Sequence, residues 1–405
     1  MQLRKKFLSF TLLGFVIILL SGCLTEPPTA LPPIPDTNDL DEIELIPLES
    51  TPVATLPDAL PPVDDVPPTP LPENAFWSVY FTDPININAP SDLYVSIEDL
   101  LIFYIDAAQF TIHIAAFEFD LERVADALIA AQERGVTVRW MADDENGIEA
   151  DEEDENDLFP KMADAGIRVK SDERTALMHN KFIIFDNYTV WTGSMNLTRN
   201  GVYRNNNNVI IMSDPTVAAI YEQEFLELWS GEHGPTSPSQ AKTQEAFVDG
   251  TYMRVLFGAE DEVVSWLTPI LMNATNSIRF MTFSFTHDAL GDAMLLASNN
   301  GASVAGVFET RASETEYSEL GVLYCAGLPV RQDGNPGTMH HKVIIIDDEI
   351  VITGSFNFSE SADDSNDENL LIIRNPDIAA QYLNEFALVW NEGKDVEPGT
   401  FDCTP

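Results

Sequence analysis

The side chains best equipped for chemistry sit in two matching stretches. Residues 178–196 read MHNKFIIFDNYTVWTGSMN and residues 339–357 read MHHKVIIIDDEIVITGSFN. The first supplies His179, Lys181, Asp186, Ser194 and Asn196. The second supplies His340, Lys342, Asp347, Ser355 and Asn357, at a constant interval of 161 residues. An imidazole two positions from an ammonium lies on the same face of an extended strand, because side chains alternate with period two. Two such faces brought together surround one space with two His, two Lys and two Asn. That set suits a phosphate. Lysine and amide donors hold the non-bridging oxygens, a neutral His attacks phosphorus, and a protonated His gives its proton to the leaving oxygen. Asp186 and Asp347 stand at strand ends before turns, where a carboxylate more often secures a turn than enters a reaction.

The doubled His-x-Lys-x(4)-Asp pattern with its Gly-Ser-x-Asn tail resembles the phospholipase D superfamily. The continuation SESADDSNDENLLII at residues 359–373 resembles its bacterial nuclease-type branch. The resemblance covers residues 76–393 and implies an α/β fold: a duplicated α-β-α sandwich, two similar halves with the active site at their interface. It also implies a phosphodiesterase that forms a covalent phosphohistidine and hydrolyses it with water, using no cofactor and no metal. On that resemblance His179 is the nucleophile and His340 the general acid, then base; the likeness of the halves leaves the reverse order open. Lys181, Lys342, Asn196 and Asn357 bind phosphate, Ser194 and Ser355 support them, and Asp186 and Asp347 complete the motif. Glu368, 28 positions after His340, matches a family Glu that orients a catalytic His; the same offset from His179 reaches Asn207. Only one His is therefore expected to have a carboxylate partner, which would raise its pKa and fix its tautomer.

These motifs need rigid elements beneath them, and hydrophobic periodicity supplies candidates. Residues 96–108 read as a helix opened by the capping pair Ser96 and Asp99. Strands follow at 110–119, 136–142 and 167–170, with helices at 121–134 and 157–165 between them. The motif reads as strands 182–186 and 189–192, then a strand at 208–212 and a helix at 215–229. The second half repeats this order: IRFMTFSF at 278–285 matches IHIAAFEF at 112–119. Tyr382, Phe386 and Trp390 match Tyr221, Phe225 and Trp229 on one helical face, a core-packing pattern. Such alternation predicts a mixed sheet covered by helices. The acidic run 143–157 lacks the residue order of a hand-type calcium loop and reads as a solvated loop. His341 alternates away from His340 and reads as structural or solvent-facing, and His113 reads as packing. Glu118, opposite Ser284 in the other half, either faces the site or merely ends a strand.

Residues 1–22 read as a lipoprotein signal peptide. Arg4, Lys5 and Lys6 precede an apolar run too short for a typical spanning helix, and the segment ends in Leu-Ser-Gly-Cys. That ending resembles a lipobox and implies lipidation of Cys23. Residues 23–75 form a Pro- and acid-rich tether that cannot bury enough surface to fold. The body divides into a half at 76–232, a linker at 233–250, a half at 251–394 and a tail at 395–405. The expectation is an exported protein anchored to a membrane through Cys23 and facing outside the cytoplasm, a monomer because two fused halves complete one site. Cys325 and Cys403 either pair or stand as a buried thiol and a free tail thiol, and no Cys or His spacing suggests zinc.

The net charge of −45, from 21 basic and 66 acidic residues, repels nucleic acid and leaves no basic stripe to bind it. Three functions are open. A phospholipase D acting on phospholipids is favoured by the anchor and the acidic surface. A metal-independent endonuclease cleaving DNA or RNA is favoured by the nuclease-type likeness. A catalytically relict surface lipoprotein is disfavoured by intact His, Lys and Asn in both copies.

Overall fold

A computed structural model describes residues 75–84 and 96–404 of the chain. The expected signal peptide, Cys23 and nearly all of the tether lie outside the described residues. The first half holds β1 (Trp77–Phe81), β2 (Thr111–Ala116), β3 (Thr137–Ala142), β4 (Arg168–Ser171), β5 (Lys181–Phe185), β6 (Thr189–Gly193) and β7 (Asn208–Ser213). They form one sheet in the order β1-β7-β6-β5-β2-β3-β4. The second half holds β8 (Glu245–Val248), β9 (Thr251–Phe257), β10 (Ser277–Thr282), β11 (Ser303–Phe308) and β12 (Val330–Gln332). It continues with β13 (Lys342–Ile346), β14 (Ile350–Gly354), β15 (Asn369–Arg374) and β16 (Lys394–Asp395). Their order is β16-β12-β11-β10-β13-β14-β15-β9-β8. Set aside the edge strands β8 and β16, and the two sheets have the same topology. In each, two parallel pairings on one side give way to antiparallel ones through the motif hairpin.

The motif strands lie mid-sheet because their sequences allow it. KFIIF of β5 and KVIII of β13 are buried at every position, as strands covered on both faces must be. The glycine that follows each hairpin is equally constrained. Gly193 and Gly354 have φ of +146° and +144°, and a Cβ there would lie 2.2 Å from the carbonyl oxygen of Asn208 or Asn369. Only glycine lets the chain pass so close to its neighbouring strand.

The aromatic sets weld the halves together. Tyr221 and Phe225 on the helix Pro215–Ser230 share one buried cluster with Tyr382 and Phe386 on the helix Pro376–Glu392. Tyr221 meets Phe182 of its own half edge-on at 5.2 Å and Phe257 of the other half at 5.8 Å. Buried rings of this size dominate core energetics. Trp229 departs from the core-packing expectation: it is only partly buried, with the Lys170 ammonium 4.8 Å from its ring centroid.

The acidic run needs correcting. It is helical rather than a solvated loop, with a π-helical turn Asp144–Glu149 running into a short α-helix Ala150–Glu153. Two of its carboxylates are buried because backbone donors satisfy them: Asp151 accepts from the N–H groups of Leu158 and Phe159, and Asp143 from those of Asn146 and Met178. The stretch expected as a linker contains β8, paired with β9. The expected tail is fastened by β16 on β12 and by a Cys325–Cys403 disulfide with Cα atoms 5.1 Å apart. Among the described residues no helix is long and apolar enough to cross a membrane.

Candidate active site

Each half delivers its histidine into the grip of the other. The extended segment before β5 bridges at Met178 to Asp367, and the segment before β13 bridges at Met339 to Asn206. Backbone hydrogen bonds fix both: His179 N–H to Asp367 O and His340 N–H to Asn206 O, each 2.9 Å. His179 therefore sits just outside the strand that the period-two pattern gave it. It still shares a face with Lys181, since both lie against Phe117, the imidazole centroid at 4.7 Å and the ammonium at 5.0 Å. Phe283 supports His340 and Lys342 in the same way at 4.8 and 4.7 Å.

The partners of the two imidazoles differ. Glu368 Oε2 lies 2.7 Å from His179 Nδ1 and accepts the Ser355 hydroxyl at 2.5 Å. The offset from His340 thus identifies the right carboxylate, but it serves the histidine of the other half. His340 Nδ1 faces Asn207 Oδ1 at 2.9 Å. Asn207 Nδ2 donates to Gly201 O and its Oδ1 accepts from Ser194, so that oxygen can only accept from the His340 N–H. Both imidazoles accordingly carry their shared or fixed proton on Nδ1 and leave Nε2 free. Ser194 and Ser355 act as the expected supports, each also accepting a backbone N–H, from Asn208 and Asn369.

Four ionisable side chains and Glu368 are almost wholly buried: His179 at 5% exposure, His340 at 7%, Lys181 at 4%, Lys342 at 1% and Glu368 at 0%. Burial brings Lys181 down to about 8 and depresses Lys342 further, with Lys181 repelling it. The same burial, with the two lysines, holds both histidines well below the usual imidazole range. The expected rise of one histidine is thus overridden by desolvation and ammonium charge. Glu368 is pushed up to about 8 by burial, against the pull of Lys181. Asn196 lines a cavity with His340, and Asn196 and Asn357 each have a buried side-chain oxygen with no partner among the described residues. An arrangement so rich in donors and short of negative charge is a receptor for an anion.

Glu118 faces the site. Asn196 Nδ2 donates to its Oε2 at 2.6 Å, and Glu118 lines a cavity of about 400 Å³ with Asn196, Phe283, Arg311 and His340. Sequence reasoning also missed the two Phe supports. Their signal was the shared FxF at 117–119 and 283–285, which read simply as strand ends. Asp186 and Asp347 must be corrected out of the catalytic set. They lie at the far ends of β5 and β13, where Asp186 accepts the N–H groups of Gln109, Phe110 and Thr111, and Asp347 those of Thr275, Asn276 and Ser277. His341 is buried and structural, between Glu385 and Asn208.

Two like sheets enclosing paired His, Lys and Asn define a two-half phosphodiesterase. The family described as cardiolipin synthase, PLD-like domain, matches residues 101–229 and 267–390, more than half of the chain, and the chain belongs to that phospholipase D-like family. The mitochondrial cardiolipin hydrolase of Xenopus tropicalis is 33% identical over 145 residues, 36% of this chain and 68% of that protein. Its Homo sapiens counterpart is 34% identical over 132 residues, 33% of this chain and 52% of that protein. The phospholipase D of Rickettsia conorii is 35% identical over 113 residues, 28% of this chain and 56% of that protein. The fold is shared with phosphatidylserine synthase of Haemophilus influenzae Rd KW20, at 16% identity and TM-score 0.58 over 74% of this chain and 85% of that one.

Asp347→Ala is expected to lower the melting temperature while leaving kcat/KM within about twofold, because it removes a loop anchor far from the histidines. A selective fall in kcat/KM at unchanged stability would restore Asp347 to the reaction. The lysines set the pH profile. Lys181 must be charged to hold phosphate, so kcat/KM should fall as pH rises through about 8. The histidine that attacks phosphorus must have a neutral Nε2, so the acid limb lies well below the usual imidazole range. Lys181→Arg should push the alkaline limb upward, and an unmoved limb would assign it to another group.

Proposed function

We propose that the protein hydrolyses the phosphodiester of phospholipids through a covalent intermediate on His179, without a metal ion in the reaction. The observation that carries the assignment is the unequal pairing of the imidazoles. Attack by His179 Nε2 leaves positive charge on the ring, and the Glu368 carboxylate on Nδ1 opposes it. Asn207 offers His340 only a neutral amide oxygen, which suits a group that must give a proton away and take one back. In this reading His179 bonds to phosphorus while the P–O bond to the alcohol breaks, and His340 protonates the departing oxygen. His340 then takes a proton from water, which attacks phosphorus and frees His179. Lys181, Lys342, Asn196 and Asn357 hold the non-bridging oxygens throughout. The bound diester's negative charge offsets the two lysines and so restores the proton affinity of His340 when it must act as an acid.

Phospholipid is favoured over nucleic acid by charge. The net charge is −45, and Glu118, Asp120 and Asp154 line the cavity leading to His340. A polyanion approaching that mouth is repelled along its length, whereas a lipid headgroup brings a single phosphodiester. Lipidation at Cys23 and export would hold the body beside such a surface, which fits the same reading.

The test offers phosphatidylcholine vesicles and single- and double-stranded DNA to the purified protein in EDTA at 25 °C, with His179→Ala as control. Phospholipid cleavage that the variant loses by at least about 10³-fold is the expected result. Cleavage of DNA alone would establish the nuclease instead, and activity that needs an added metal ion would overturn the mechanism.

A further inference from the structure

The duplication exposes a charge imbalance away from the active site. In both halves a carboxylate immediately after a central strand, β3 or β11, accepts the N–H of the residue preceding the motif histidine. These are Asp143 with Met178 at 3.0 Å and Glu309 with Met339 at 2.7 Å. A second carboxylate accepts the next residue's N–H: Asp172 from Asp144, and Asp333 from Thr310. The second half neutralises this pair. The Thr310 hydroxyl donates to Asp333 Oδ1 at 3.1 Å, the Asn335 N–H donates to Asp333 Oδ2, and the Arg311 guanidinium lies 4.0 Å from Glu309. The first half does the opposite, with Asp144 in place of the threonine and Glu145 in place of the arginine.

Three carboxylates thus converge in the first half, where the second half has a threonine and an arginine. One oxygen from each of Asp143, Asp144 and Asp172 lies within 4.8 Å of the other two. Asp172 is 7% exposed, and its Oδ2 is buried without a hydrogen-bond partner among the described residues. Leaving such an oxygen unsatisfied is costly, and an ionised one more so.

We propose that Asp143, Asp144 and Asp172 form a calcium site. Only oxygen ligands are present, which selects a hard cation, and the ligand spacing lets all three reach one ion at calcium's bond length of about 2.3–2.6 Å. Water completes the shell from an open cavity of about 760 Å³ lined by Asp172, Glu173 and Glu152. The ion takes no part in the reaction. It secures Asp143, hence the Met178 N–H, and so the segment carrying His179. Asp144→Thr should make the site dispensable, because it copies the second half's own solution.

The experiment titrates calcium into the full-length chain after EDTA treatment and desalting, and records thermal melts in calcium chloride and in EDTA. The expected result is one calcium per chain and a melting temperature higher by roughly 3–8 °C in calcium. Asp144→Thr and Asp172→Asn should each lose that ion and the calcium-dependent increment, with Asp144→Thr folding in EDTA at least as stably as the parent. Equal melting temperatures in calcium and EDTA would overturn the proposal. So would loose calcium binding that both variants retain unchanged.

Discussion

Two lysine ammonium groups held out of water within one enclosed space constrain everything around them. Burial out of water depresses the proton affinities of both Lys181 and Lys342, and the Lys181 charge lowers that of Lys342 further. The buried Glu368 carboxyl beside them is itself pushed up to about 8, so the empty site is short of negative charge. A phosphodiester monoanion corrects the deficit. On the proposed mechanism binding and activation are the same event, because the arriving charge keeps both lysines protonated and lets His340 hold its proton. Neither half could sustain this arrangement by itself. Glu368 belongs to one half and His179 to the other, and the backbone pairing of residues 177–179 with Asp367, and of 338–340 with Asn206, keeps them in register. The shared aromatic core beneath the two long helices supplies the rigidity that such buried polar contacts require.

Duplication gives symmetry, and function needs it broken. A symmetric pair of imidazoles would have no reason to divide nucleophile from acid. The chain breaks the symmetry at three places in the first half: Asn207 against Glu368, Glu118 against Ser284, and Asp144 against Thr310. The first separates the electrostatic surroundings of the two histidines. The second places a carboxylate on Asn196 but none on Asn357. The third leaves a carboxylate cluster beside the chain segment leading to His179. All three lie within the shells that position the reacting groups, while the hairpins and the Gly-Ser turns stay alike.

Most of the scaffold was legible because its elements carry strong local signals. The capping pair Ser96 and Asp99 opens its helix with both reciprocal hydrogen bonds, and the repeated strand and helix order returns as two sheets of matching topology. The site's membership was legible from the doubled motif; its cross-connections were not. An offset along one chain identifies Glu368 as a histidine partner but says nothing of which half it reaches, since that depends on how the halves dock. Asp186 and Asp347 belong to the motif for a structural reason: a turn carboxylate that collects three N–H groups recurs with the fold, whether or not it touches substrate. The acidic run misled because charge density suggests solvation, whereas Asp143 and Asp151 are buried by backbone donors that composition does not reveal.

The central claim is that Glu368, reaching across from the second half, makes His179 the nucleophile. The most direct test is to quench the protein with base during turnover of a phosphodiester that has an activated leaving group, and to locate the phosphoryl adduct by peptide mass spectrometry. An adduct on His179, depleted in Glu368→Gln and absent in His179→Ala, is the predicted result. An adduct on His340, or an adduct on His179 whose formation is indifferent to Glu368→Gln, would contradict it.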